Sequence, residues 1–147
     1  YLTNATPAFP SSTHDRAKID AAFEAIRQFV LPDVTTAVYE STILPRRNRG
    51  RPVDAVSVAA AVDKVKIALS ATSQQFFRES QWVAGRDFSI ADMALAVVAF
   101  SMGDVVGQTT LFSEGPLATW WEAARNERCV VEGLRSFTAT ASAVKAR

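Results

Sequence analysis

Apolar residues recur at steps of three and four along two long stretches of this 147-residue chain. The first set consists of Ile19, Phe23, Ile26, Val30, Val34 and Val38. The second set consists of Val58, Val62, Val65, Leu69, Thr72 and Phe76. This spacing places each set on one face of an α-helix, and no segment has the strict alternation of a half-buried strand. The pattern therefore predicts two long amphipathic helices that pack together as in a bundle.

Prolines predict where these two helices bend, end and begin. Pro32 lies inside the first stretch and predicts a bend there, because proline removes a backbone hydrogen bond and clashes with the preceding turn. Leu44-Pro45 is expected to end the first helix. Pro52 suits the first turn of a helix and is expected to open the second one, which runs to about Glu79.

The longest apolar run, from Ile90 to Met102, is interrupted only by Asp92 and Ser101. It is shorter than the roughly 20 residues that cross a bilayer, and being apolar on every side it predicts a buried central helix. Ser89 and Asp92 have the spacing of a capping box, with Asp in place of the usual Glu or Gln. Phe88 and Met93 flank that box at the positions of a hydrophobic staple. The capping box and the hydrophobic staple therefore both predict that the central helix starts at Ser89.

Two shorter helices are predicted after the central one. One begins at Pro116 and carries Leu117, Trp120, Trp121 and Ala124 on one side, and the other spans roughly Val130 to Val144. With no strand predicted, the fold class is all-α, a bundle of about five helices around the buried central helix.

Composition excludes several kinds of function. The chain has 16 Lys and Arg against 15 Asp and Glu, so no broad positive field predicts a nucleic-acid or membrane partner. One cysteine and one histidine cannot form an internal disulfide or a metal site, and no catalytic triad is predicted. We expect His14 to be exposed and Cys129 to be a packed thiol. The single cysteine favours a reducing, cytoplasmic location.

The segment 82–93, with its turn, small capping hydroxyl and Ala-Asp pair, resembles the start of the central helix in the C-terminal domain of cytosolic glutathione transferases. Arg16-Ala17 resembles the opening of that domain's first helix. The segment 50–54 resembles the link to its second helix in the phi class, and Trp120-Trp121 resembles a Trp-Trp pair before the last turns. The resemblance covers nearly the whole chain and is greatest to phi-like transferases.

The resemblance implies a two-domain enzyme of which this chain is the second part. Residues 1–13 would be the end of a missing N-terminal thioredoxin-like domain and the interdomain linker, and residues 14–147 would form the all-helical domain. The missing domain would bind glutathione, the cosubstrate, and supply the residue that activates its thiol. This chain would supply part of the pocket for a hydrophobic electrophile and dimer contacts, with no catalytic residue of its own.

A mixed polar and apolar face beside the core stripe of the first long helix provides candidate substrate-binding residues. The candidates, which include one residue at the end of the central helix, are Phe29, Asp33, Thr36, Ala37, Glu40 and Met102. Ordinary boundary positions or dimer contacts are the alternative for the helix face, and core filling is the alternative for the methionine.

Two other functions remain open at this stage. The fold could serve as a non-catalytic protein-interaction module, as in the elongation-factor gamma subunit, and the arginine-rich loop from Arg46 to Arg51 is the feature that would test it. The more ordinary interpretation of that loop is a solvated connector between helices. A free-standing helical domain is the third possibility.

Overall fold

The structure, a computed structural model, describes residues 10, 12–48, 51–77 and 80–133. All regular secondary structure in these ranges is helical, which confirms the all-α prediction. The first long helix runs without interruption through α1, a π-helical segment, α2, a second π-helical segment and α3. Their bounds are Thr13–Ala25, Ile26–Val30, Leu31–Val38, Tyr39–Ile43 and Leu44–Arg47.

Each π-helical segment lies directly before a proline-containing turn. The N–H of Leu31 donates to the carbonyl of Ile26, and the N–H of Leu44 donates to that of Tyr39, both five residues back. Widening the turn in this way is a known response where a helix cannot keep its regular bonds. The sequence predicts a bend at Pro32, and the structure has a π-helical segment directly before that turn. The prediction that the helix ends at Pro45 is wrong, because the same widening lets the helix continue to Arg47.

The second long helix, α4, spans Ala55–Phe76. It begins three residues later than Pro52, because the Asp54 carboxylate caps it by accepting from the Ser57 amide at 3.1 Å. The predicted stripe is confirmed, since its central members are buried and α4 packs against α2. The predicted end near Glu79 lies outside the described residues.

The central helix, α5, spans Ile90–Val106 and packs against α1, α2 and α7. Leu95, Val98 and Met102 on this helix have no exposed surface. The predicted buried central helix is confirmed, although one side of α5 is open, where Met93 is 37% exposed and Val97 is 54% exposed. The neighbouring helices cover three sides of α5, and the apolar residues on the remaining side stay at the surface.

Short helices follow α5 and close one of its sides. They are α6 (Gln108–Leu111), α7 (Gly115–Ala124) and a helical segment at 128–133. Trp120 and Trp121 on α7 are buried and stack with Phe112, and Trp121 also meets Phe100 of α5. The predicted helix over 130–144 begins as expected, and residues 134–147 lie outside the described ranges.

Candidate functional site

The six candidate residues divide between the surface and the core. Phe29 is 65% exposed, and Thr36 is exposed with its hydroxyl donating to the Pro32 carbonyl at 3.0 Å. Ala37 and Met102 have no exposed surface and belong to the hydrophobic core. Ala37 lies three residues after buried Val34, so it continues the core stripe where the helix packs against α4 and α5. These two positions therefore offer no surface to a ligand in this structure.

The other two candidates, Asp33 and Glu40, lie half-buried where the first long helix faces the α4 side. Asp33 Oδ1 is 3.8 Å from Lys64 Nζ, and Glu40 Oε2 is 3.8 Å from Arg51 Nη2. Partly exposed pairs at this distance contribute roughly 0–1 kcal/mol to stability. Each carboxylate thus has a cation across the helix interface, which leaves Phe29 as the apolar group of this face.

An apolar groove lies on the uncovered side of α5, away from the predicted set. Its volume is about 300 Å³, at the lower end of the range for small-molecule pockets. The lining residues are Met93, Ala96, Val97, Phe100, Ser101, Cys129, Val130 and Gly133. Sequence reasoning missed this groove. The available signal was that α5 is apolar on every side, including the positions Met93 and Val97 that remain exposed.

Cys129 corrects one of the sequence predictions. The packed thiol expected between Arg128 and the Val130-Val131 pair is exposed, at the rim of the apolar groove. Val130, the next residue, is 6% exposed and takes the core-facing position of that helical turn. His14 is exposed, as expected. Across the described ranges, no three His, Cys, Asp or Glu side chains are placed to hold a metal ion.

Asp92 is the most strongly connected polar group near the groove. Its Oδ2 accepts from the Ser89 amide at 2.8 Å and the Ser89 hydroxyl at 2.9 Å, and the predicted capping box is present. Its Oδ1 accepts from the Val83 amide at 2.9 Å and from Trp120 Nε1 at 2.9 Å. Burial raises the pKa of Asp92 above its ordinary value, against the opposing effect of these four bonds.

The arrangement around Asp92 is structural. The carboxylate ties three parts of the molecule together: the loop that holds Val83, the start of α5 and the Trp120 side of α7. Phe88, next to Ser89, lies edge-on to Trp82 with ring centroids 5.4 Å apart, while Met93 lines the groove. The loop is thereby fixed against α5, and the groove begins one turn further along that helix.

No helix in the described part of the chain is both long and apolar enough to span a membrane. No protein-family model matches the sequence, and the curated proteins provide no match either.

Solved structures do match this fold. Glutathione transferase F2 from Populus trichocarpa matches with a TM-score of 0.72 and 24% identity, over 88% of this chain and 60% of that one. Glutathione S-transferase III in its apo form has a TM-score of 0.75 and 20% identity, over 92% and 61%. Glutathione S-transferase I bound to lactoylglutathione has a TM-score of 0.72 and 17% identity, over 82% and 56%.

The chain thus spans between 56% and 61% of the length of these three transferases. At such identities the likeness establishes the fold. The helix order, the buried central helix and the capped start of α5 agree with the resemblance found in the sequence. The chain therefore has an all-helical fold that it shares with part of each of these glutathione transferases.

Proposed function

We propose that this chain is the C-terminal domain of a glutathione transferase whose complete form joins glutathione to hydrophobic electrophiles or uses it to reduce peroxides. The observation that carries the proposal is the structural match along at least 82% of the chain to transferases, one of them holding a glutathione conjugate. The chemistry is attack of the glutathione thiolate on an electrophilic carbon, which expels a leaving group such as chloride, or on a peroxide oxygen. The second reaction breaks the O–O bond, releases the alcohol and leaves a sulfenic acid, which a second glutathione converts to the disulfide and water. The protein would work in detoxification and in the reducing cytoplasm.

This division of labour fits the side chains of the described residues. Glutathione binding and thiol activation would belong to an N-terminal thioredoxin-like domain, whose end, together with the interdomain linker, would be residues 1–13. The face of the first long helix around Phe29 would hold the electrophile, with Asp33, Thr36 and Glu40 at its edge and Ala37 and Met102 behind it.

Exposed apolar surface supports an assembled protein. The groove along Met93 and Val97 is exposed apolar surface of the kind that a partner domain covers. A second apolar surface lies on α4, where Val56 is 80% exposed and Ile67 is 72% exposed. We assign the α5 groove to contact with the rest of the full-length protein and the α4 face to contacts in a homodimer.

The experiment is a kinetic assay of the full-length gene product with glutathione and 1-chloro-2,4-dinitrobenzene, and with cumene hydroperoxide in place of the electrophile. We expect Phe29→Ala to raise KM for the electrophile several-fold and to leave KM for glutathione unchanged. Val53→Ala, an exposed apolar residue just before α4, is the matched control and should change neither constant. A full-length protein with neither glutathione affinity nor thiol transfer would remove the enzymatic function.

A second candidate function, the protein-interaction module, has one observation in its favour. Arg46 and Arg47 are exposed at the end of α3, and neither forms an ion pair within the described part of the chain. Charge reversal of both residues distinguishes the two functions. Loss of a bound protein partner with thiol transfer intact would favour the module, whereas intact assembly would leave the loop as a solvated connector.

A further inference from the structure

A second cavity lies between the C-terminal half of α4 and the start of α7. Its volume is about 420 Å³, and it shares none of its lining with the groove on α5. Leu69, Leu111 and Leu117, each at most 9% exposed, provide its apolar floor. Lys66, Ser73 and Glu114 provide polar groups at the same cavity. The cavity therefore combines an apolar part with charged and hydroxyl groups.

Ser73 is the group in this cavity that lacks a partner. It is only 8% exposed, and its hydroxyl makes no hydrogen bond to any described residue. No fully enclosed side-chain oxygen in the described residues lacks a partner, so the Ser73 oxygen has some access to solvent, and Ser73 is one of the residues that line the cavity. A buried hydroxyl that faces a cavity without a partner is a ready donor for a ligand.

The start of α7 contributes further donors to the same cavity. Gly115 and Leu117 line it, and the N-cap residue Glu114 makes no side-chain hydrogen bond to the first turn. Backbone N–H groups at the start of a helix have no partner within the helix and carry partial positive charge. Pro116, between them, has no N–H to offer. The start of this ten-residue helix, where the free N–H groups lie, thus lines the same cavity as Ser73.

The charges at the cavity set the sign of the ligand. The Lys66 ammonium is half exposed and lies 3.3 Å from Asp63, which is itself 71% exposed and outside the lining. It remains able to turn toward a ligand, because an exposed pair of this kind is worth under about 1 kcal/mol. The Glu114 carboxylate is exposed and would oppose an anion. The cavity has one cation, a hydroxyl donor and helix N–H groups, and a single exposed carboxylate opposes them. This balance favours a ligand with a small anionic head group.

We propose that this cavity binds a small amphipathic carboxylate, with the chain of the ligand over Leu69, Leu111 and Leu117 and its head against Ser73, Lys66 and the start of α7. The head accepts from the hydroxyl, the ammonium and the helix amides. The three leucines bury the tail. This site is independent of the transferase function, because it uses none of the residues assigned to that function.

The test is calorimetric titration of the full chain with octanoate at low salt. We expect saturable binding with one ligand per chain, and Lys66→Gln and Ser73→Ala should each weaken it about five-fold or more. Glu114→Gln should tighten it about two-fold, because it removes the opposing charge. Lys64→Gln is the matched control, since Lys64 is an exposed lysine on the same helix that does not line the cavity.

Two further titrations make the outcome decisive. Octan-1-ol has the same tail without the charge and should bind at least about ten-fold more weakly than octanoate. Val97→Ser, in the α5 groove, should leave octanoate affinity unchanged. Absence of saturable binding, or octanoate affinity that responds to Val97→Ser and ignores Lys66→Gln, would overturn the proposal. Lys66 is exposed, so its variant stays folded even if the Ser73 variant does not.

Discussion

At the scale of single residues, Asp92 determines how the loop before α5 is held. It has no exposed surface, and each of its two carboxylate oxygens accepts two hydrogen bonds. The bonds from Ser89 could be predicted from sequence, because a capping box has a fixed spacing. The bonds from Val83 and Trp120 could not, because the Trp120 donor is 28 positions away and depends on how α7 packs.

Trp120→Phe tests whether this buried carboxylate needs its distant donor. The change removes the Nε1–H bond to Asp92 Oδ1, and a hydrogen bond to a charged group contributes about 1.5–3 kcal/mol to the free energy of unfolding. Trp121→Phe is the control, because Trp121 is almost as buried and its indole is not one of the four donors. Urea unfolding should show the larger loss for Trp120→Phe. Equal losses would mean that ring volume alone matters.

The pH dependence of stability provides a second test at Asp92. Its pKa is raised in the folded state by burial, so the folded chain binds this proton more tightly than the unfolded chain. Ionisation of Asp92 therefore costs stability as pH rises through the folded pKa, and acidification toward its ordinary pKa of 3.8 restores it.

The measurement is the free energy of unfolding of the wild-type chain minus that of Asp92→Asn, between pH 7 and pH 4. We expect this difference to grow in favour of the wild type as pH falls. Carboxylates whose pKa is lowered, such as Glu24 and Asp54, contribute equally to both chains. A difference that shrinks on acidification would show that the four hydrogen bonds outweigh burial.

At the scale of helices, apolar periodicity predicts well which face of a helix is buried, and it predicts less well where the helix begins and ends. The core stripes of the first long helix and α4 could be predicted because apolar spacing reports directly which face is buried. The π segments could not, because whether a helix widens or stops at Pro32 and Pro45 depends on tertiary packing that favours continuing it. Asp54 likewise moved the start of α4, since an N-cap hydrogen bond outweighs the preference of Pro52 for a first turn.

Adjacent residues on α5 test which side of the central helix is covered. Val98 has no exposed surface, and Val97 is 54% exposed. We expect Val98→Ala to lower the free energy of unfolding by about 2 kcal/mol, through lost burial and the cavity left behind. Val97→Ala should stay within about 0.5 kcal/mol, as surface changes do. Similar losses at both positions in thermal or urea unfolding would mean that the groove is filled in solution.

At the scale of the whole molecule, fold was far more predictable than site. An all-α bundle follows from local spacing that each helix carries in its own residues. The candidate site depends on which surfaces the packed helices leave open, and the groove arises where α5, along Met93 and Phe100, meets the helical segment around Cys129. Ala37 and Met102 also show that sequence spacing does not predict which surfaces stay open. The sequence places both residues next to an open face, and the packing of the helices buries them completely.

The position of Cys129 has a practical consequence for studying the chain. It is the one cysteine in the sequence and it is exposed at the rim of the α5 groove, so a thiol-directed fluorophore would attach at a single defined place. The three tryptophans, Trp82, Trp120 and Trp121, are all buried in the core. Tryptophan fluorescence thus reports on the interior of the chain, and a fluorophore on Cys129 reports on the open surface. Loss of core packing can therefore be followed separately from covering of the groove.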